Sequence, residues 1–259
     1  MAETQHNDKR TPWHSIFEIV TPQIVRISTP RGFGTGFLLG RSPHGKFAGV
    51  ATAAHVINEA HMWHEPIRLE HIASGKEIFL EHNKRGVRVD QNTDAAAIAF
   101  DSSLLNTLPQ TPVPLMPKGK FLKIGNEVAW LGFPVNGMGK LCFFAGRVSS
   151  VLEKQQAYLL DGVIINGVSG GPVIASFYDG SYNFLGVVSA YRPNINPDGA
   201  WPGLGVATSA ANFYAALEEI SALKEFETPP APPVPPVPVT PPAVVPVAPS
   251  VPAVPLPKG

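Results

Sequence analysis

A single cysteine in 259 residues, Cys142, excludes an intramolecular disulfide, so packing and hydrogen bonds alone must hold the fold. That cysteine lies within Leu141-Cys142-Phe143-Phe144, where a small buried apolar residue is expected. An excess of either charge is also missing. Lys plus Arg and Asp plus Glu are 20 each, with no like-charged block, which excludes a nucleic-acid or acidic-lipid surface. No apolar run approaches the ~18 residues of a membrane-spanning helix. The first residues, MAETQHNDKRTPWH, lack the apolar region of a secretory signal, and a cytoplasmic location is expected. Long stretches of 3.6-residue periodicity are absent until near residue 209.

What the sequence has instead is short apolar or alternating runs, separated by Gly, Pro, Asn and Asp. Ile24–Ile27, Gly36–Leu39, Lys46–Ala51, Glu77–Leu80, Ala96–Phe100 and Glu127–Leu131 are examples. Phe143–Val148, Tyr158–Leu160, Pro172–Ala175 and Phe184–Ala190 continue the series. Many short strands of this kind predict an all-β sandwich or barrel. Four prolines between Pro109 and Pro117 cannot supply ladder N–H groups, so this stretch reads as an extended connection between two β halves, about 16–107 and 120–208. From Ser209 to Glu225, Phe213, Leu217, Ile220 and Leu223 space as one amphipathic helix, expected to pack on the second half. Residues 1–15 read as a flexible leader.

Fourteen of the 28 prolines fall between Pro229 and Pro257. Residues 228–259 therefore read as a disordered Pro/Val/Ala-rich tail favouring polyproline II. Such a tail serves as a semi-rigid spacer, or, through P-x-x-P matches such as Pro232 to Pro235, recruits a proline-recognising partner.

Three segments carry candidate chemistry. In Asn166-Gly167-Val168-Ser169-Gly170-Gly171-Pro172, glycines around a serine permit a sharp turn and successive N–H groups aimed into one concavity. In Val50-Ala51-Thr52-Ala53-Ala54-His55, a histidine ends an apolar strand. In Asp94-Ala95-Ala96-Ala97-Ile98, an acid immediately precedes one. Taken singly, each is more often structural, as a turn, a core histidine or a turn-ending aspartate. Their order, with His and Asp in the first half and Ser in the second, places all three across a crevice.

With Gly34-Thr35-Gly36-Phe37, Gly186-Val-Val-Ser-Ala and Gly203-Leu-Gly-Val-Ala, these residues resemble the trypsin-like serine peptidases, and the HtrA/Deg-type branch more than the digestive enzymes. The resemblance implies two six-stranded antiparallel Greek-key barrels of chymotrypsin-like type, with a C-terminal helix completing a domain over 16–227. It assigns Ser169 as nucleophile, His55 as base and Asp94 as the group orienting that base, with the amides of Gly167 and Ser169 as oxyanion hole. Asp90 and Asp101 fit the third position less well. Val163 would lie at the base of the primary pocket and Ser189, Ala190 and Tyr191 on its wall. An apolar floor disfavours Lys or Arg and suits small or medium aliphatic side chains.

Two departures stand out. Digestive members carry an aspartate just before the serine, to pair with a newly cut N-terminus; Val168 replaces it here. No recognisable peptide-binding (PDZ) domain is expected after the peptidase region, where HtrA/Deg-type proteins often carry one. No cofactor is implied. His55, His61, His64, His71 and His82 cluster in sequence but match no common zinc pattern and read as loop residues, so no metal is expected. Protein or peptide is the implied substrate. A catalytically silent member of the same fold, acting as a peptide-binding module with a recruiting tail, is the alternative.

Overall fold

Alternating burial in short segments builds two antiparallel sheets in a computed structural model that describes residues 10–196 and 199–223, without the side chains of 191–202. Residues 1–9 of the expected leader and the whole Pro-rich tail lie outside the described residues. The first sheet comprises β1 (Ile24–Thr29), β2 (Gly32–Arg41), β3 (Phe47–Ala53), β4 (Ile67–His71), β5 (Lys76–Leu80), β6 (Arg85–Asp90) and β7 (Ala95–Asp101). The second comprises β8 (Glu127–Gly132), β9 (Cys142–Leu152), β10 (Ala157–Asp161), β11 (Pro172–Ser176), β12 (Tyr182–Asn196) and β13 (Gly199–Ser209). The second closes as a six-stranded barrel in the order β10-β13-β12-β11-β8-β9. This is the chymotrypsin-like arrangement, mostly β, with one barrel closed.

The first sheet departs from expectation. It has seven strands in the order β5-β4-β1-β2-β3-β7-β6 and stays open between β5 and β6. At that seam the Arg85 guanidinium donates to the carbonyl of Leu80, the last residue of β5, and to those of Ala60 and Glu65.

Each sheet encloses its own apolar set. Val25, Ile27, Leu38, Val50, Ile98 and Phe100 fill the first. Val128, Trp130, Tyr158, Leu160, Ile174 and Val187 belong to the second, and that cluster continues into the junction. There Phe37 from β2 meets Phe184 from β12, with ring centroids 4.3 Å apart. Both are fully buried, and burying each stabilises the junction by about 1.5–3 kcal/mol.

Three helices decorate the sheets. The helix α1 (Trp13–Val20) starts before the expected domain boundary at residue 16 and buries Ile16 and Val20, while Trp13 and Phe17 touch Phe143. Between β3 and β4, α2 (Ala54–Met62) buries Ala54, Ile57 and Ala60 at three-residue spacing. The C-terminal helix α3 (Tyr214–Ala222) follows a tight turn at Ala210–Phe213 and is shorter than the expected 209–225. It also packs elsewhere. Leu217 and Ile220 fill the space that a Cβ on Gly40 or Gly49 would need, at 2.3 and 2.1 Å, so the helix spans β2 and β3 of the first sheet rather than the second half. Glycine on those strands opens the groove the helix enters.

The proline-rich connection is an ordered strap. Leu108, Val113, Leu115 and Met116 are buried, and the Val113 amide donates to Gln23 Oε1 at 2.9 Å. Cys142, expected to be buried, is only partly so, because it opens β9 at the barrel rim. No helix among the described residues is long and apolar enough to cross a membrane.

Candidate active site

The approach to Asp94 begins at Asp90. Its carboxylate accepts from the amides of Asn92 (3.0 Å) and Thr93 (3.4 Å) and from the Thr93 hydroxyl (2.8 Å), closing the turn between β6 and β7. That turn delivers Asp94 in the left-handed region, φ 53°, a conformation aspartate adopts more readily than most residues. Asp101, the other rejected acid, accepts from the Ser103 amide at 2.9 Å and only caps a turn.

From there Asp94 caps a helix it does not belong to. The residue before α2 is Ala53, which has no capping side chain. Asp94 supplies what is missing: its carbonyl accepts from Ala54 N at 3.1 Å and its Oδ1 from His55 N at 2.9 Å. The same carboxylate meets the His55 ring, with Nδ1 2.9 Å from Oδ2 and 3.1 Å from Oδ1. His55, expected at a strand end, is thus the second residue of a helix, and its ring is aimed by the acid that starts that helix. With Nδ1 donating to a carboxylate, Nε2 is the atom left to accept a proton.

A third partner completes the acid's shell. The hydroxyl of Ser189, on β12, donates to Asp94 Oδ2 at 2.6 Å. Burial pushes the Asp94 carboxyl up, but the hydrogen bonds from His55 and Ser189 outweigh it and hold the group below the ordinary carboxylate value. Ser189 was expected on a pocket wall; its hydroxyl instead joins the second sheet to the acid of the first.

Ser169 sits in a turn whose glycines are sterically required. Gly167 has φ +91°, and a Cβ there would lie 2.2 Å from the Phe133 carbonyl oxygen. Gly170 has φ +84°, and a Cβ would lie 2.0 Å from the Thr35 carbonyl oxygen. Among the described residues, neither the Gly167 nor the Ser169 amide donates a hydrogen bond within the protein. Two adjacent unengaged N–H groups beside a hydroxyl are what a developing oxyanion requires. The preceding Val168 is fully buried and packs against Gly132, while Ile16 lies buried in α1. No acid stands at position 168 to receive a new terminus.

Thr35 ties this turn to the first sheet. Its amide donates to the Ser169 carbonyl at 2.8 Å and its hydroxyl to the Gly167 carbonyl at 2.9 Å. The hydroxyl oxygen also accepts from Phe133 N at 3.1 Å, and the Thr35 carbonyl accepts from the Thr52 hydroxyl at 2.7 Å. The serine turn and the histidine are brought near one another at Gly34. A Cβ on that residue would meet Val56, the neighbour of His55, at 2.7 Å and the Ser169 carbonyl oxygen at 2.9 Å. No hydrogen bond joins the Ser169 hydroxyl to the imidazole in this structure. Such bonds are often long in unliganded sites and tighten with substrate.

Val163 is 59 % exposed, and its carbonyl accepts from the Trp130 indole at 3.1 Å. The next residue, Ile164, turns inward and is 5 % exposed. Its Cδ1 lies 2.1 Å from where a Cβ on Gly205 would stand. Ala190 is exposed and pairs with Val206, and the side chain of Tyr191 lies outside the described residues. Sequence reasoning missed the part that Thr35 plays. The Gly-Thr-Gly-Phe match contained Thr35, but only the fold shows what its hydroxyl reaches.

The other histidines divide. His71 is buried, with Nδ1 2.8 Å from the hydroxyls of Ser74 and Thr107 and Nε2 2.8 Å from the Pro22 carbonyl. It is therefore a core residue, not a loop residue. His64 and His82 stack with centroids 3.8 Å apart, and His61 lies 6.1 Å from His82. Among the described residues no group of three or more ligands could hold a metal ion.

The profile of the trypsin-like peptidase domain family matches residues 34–180, which contain His55, Asp94 and Ser169 but not Ser189. No curated protein sequence matches the chain. Solved structures similar in fold include Deg5, at 18 % identity and TM-score 0.58, covering 86 % of this chain and 99 % of that one. The serine endoprotease from Yersinia pestis is similar at 19 % identity and TM-score 0.58, covering 81 % and 66 %. The inactive form of the Rv3671c protease from M. tuberculosis follows at 22 % identity and TM-score 0.53, covering 80 % and 93 %.

Proposed function

The chain belongs to the trypsin-like peptidase domain family, and from that premise we propose that it is a serine endopeptidase acting through an acyl-enzyme. The observation that carries the reading is the His55 imidazole, held on Asp94 through Nδ1, which leaves Nε2 as the atom to accept a proton. In the first step Ser169 Oγ attacks the substrate carbonyl while His55 Nε2 takes the hydroxyl proton. Asp94 stays ionised and stabilises the imidazolium. The tetrahedral oxyanion accepts from the Gly167 and Ser169 amides, each donor supplying about 3–4 kcal/mol of transition-state stabilisation. Collapse breaks the C–N bond, and His55 gives its proton to the departing amine. Water then attacks the ester by the same route, returning Ser169 and releasing the acid.

Two features support the substrate side of this reading. Beyond Val187, β12 has no β11 residue in register, so the edge from Ser189 onward is open on that side for an extended peptide to add as a strand. The apolar segment Val163-Ile164-Ile165 carries no carboxylate for Lys or Arg, in keeping with small or medium aliphatic side chains.

Reaction with a fluorophosphonate probe tests the proposal. The wild-type protein is expected to be labelled on Ser169, and Ser169→Ala to lose both labelling and peptide cleavage while unfolding at the same temperature. A well-folded wild-type protein that neither reacts nor cleaves would instead be a peptide-binding member of the fold.

A further inference from the structure

On β1, Arg26 stands opposite Thr35 of β2. Directly opposed residues of an antiparallel pair project from the same face, so Arg26 shares the face on which Thr35 holds the serine turn. Its guanidinium lies over the Phe33 ring, 4.6 Å from the centroid. The edge of that ring, Cε2, is 2.7 Å from where a Cβ on Gly167 would be. On the other side, Arg26 Nη1 is 3.8 Å from the corresponding point on Gly139. Gly139 belongs to the loop before β9, which is anchored to the serine turn by Val135 N donating to the Asn166 carbonyl at 2.9 Å. The cation is therefore one aromatic ring away from an amide assigned to the oxyanion.

This cation is left unmatched. Arg26 Nε is buried without an acceptor, and no carboxylate among the described residues pairs with the guanidinium. Glu70, its cross-strand neighbour on β4, is drawn to Arg68 at 3.6 Å instead. A half-buried guanidinium with a planar fork, fixed against a ring and lacking an acid, is suited to receive a carboxylate from outside.

The side of the cleft it serves follows from the serine turn. Gly170, after Ser169, is bound to Val188 of β12, the strand whose open edge would take the acyl half of the peptide. Gly167, before Ser169, faces Phe33, over whose ring Arg26 lies. The leaving half of the substrate thus passes the arginine. At ~3.3 Å per residue, the second residue beyond the scissile bond reaches about one ring's width past the oxyanion site. We propose, on the peptidase reading above, that Arg26 determines specificity by binding an acidic side chain at that second position on the leaving-group side.

The test uses the full-length protein and internally quenched peptides identical except for Glu, Gln or Lys at each of the three positions after the cleaved bond. Wild-type kcat/KM is expected to be about five- to tenfold higher for Glu than Gln at the second position, carried mainly by KM and reduced by salt. Lys there should be the poorest. Arg26→Glu should reverse the order and Arg26→Lys keep part of it. Equal rates for Glu and Gln in the wild type, or an acidic preference that persists in Arg26→Glu, would overturn the inference while leaving the peptidase reading intact. A wild-type protein that cleaves none of the peptides and resists the serine probe would end both.

Discussion

Replacing Thr35 with Val should loosen the fold and the oxyanion site together. The substitution removes a fully buried hydroxyl that donates to the Gly167 carbonyl and accepts from the Phe133 amide. Both backbone groups would be left without that partner. Leaving a buried group unsatisfied costs about 1–3 kcal/mol, so the pair amounts to roughly 2–6 kcal/mol. For a domain of this size each kcal/mol lowers the midpoint by about 2–4 °C, giving a fall of roughly 4–24 °C. The Gly167 carbonyl belongs to the turn that presents the Gly167 and Ser169 amides. Freed from Thr35, that turn is expected to hold its donors less rigidly, and losing one donor costs on the order of 10²-fold in kcat. Scanning calorimetry and steady-state peptide hydrolysis well below the new midpoint would read both effects, with kcat falling and KM nearly constant. A Thr35→Val protein that unfolds and turns over like wild type would refute the role given to this hydroxyl.

Ile164→Ala removes the side chain beside Gly205, so cleavage should shift toward larger apolar residues before the scissile bond; an unchanged library profile would place the primary pocket elsewhere. Acid should weaken the fold through His71. Burial lowers its proton affinity, and the Pro22 carbonyl only partly offsets this, so the folded state holds the ring neutral. The unfolded chain binds the proton at the ordinary value of 6.5, so the stability is present above that pH and is lost as pH falls through it toward the lowered value. Midpoints measured from pH 7.5 to pH 5 should therefore fall, and His71→Asn should flatten part of that slope. A slope identical to wild type would show that His71 is not responsible.

Local chemistry was enough to identify the elements that matter most. Short apolar runs at Ala96–Phe100 and Glu127–Leu131 became β7 and β8, buried along nearly their whole length, because a strand covered on both faces reads as a continuous apolar run. The glycines around Ser169 were legible for the same kind of reason: only a residue without a Cβ fits against the Phe133 and Thr35 carbonyls. The helices α1 and α2 escaped notice because eight or nine residues supply barely two periods, and α2 begins on a cap donated from thirty-nine residues away.

What the tertiary structure alone decided were relations between distant residues. Sequence could order His55, Asp94 and Ser169 along the chain, but not show that Ser189 would hold the acid or that Thr35 would hold the serine turn. Nor could it say that Ile164 rather than Val163 turns inward, since a one-residue change of facing leaves the apolar pattern intact. The openness of the first sheet was likewise hidden, because strand order is a relation between segments distant along the chain. Periodicity records which side of a strand is buried; which groups meet across the molecule is fixed only when the chain closes on itself.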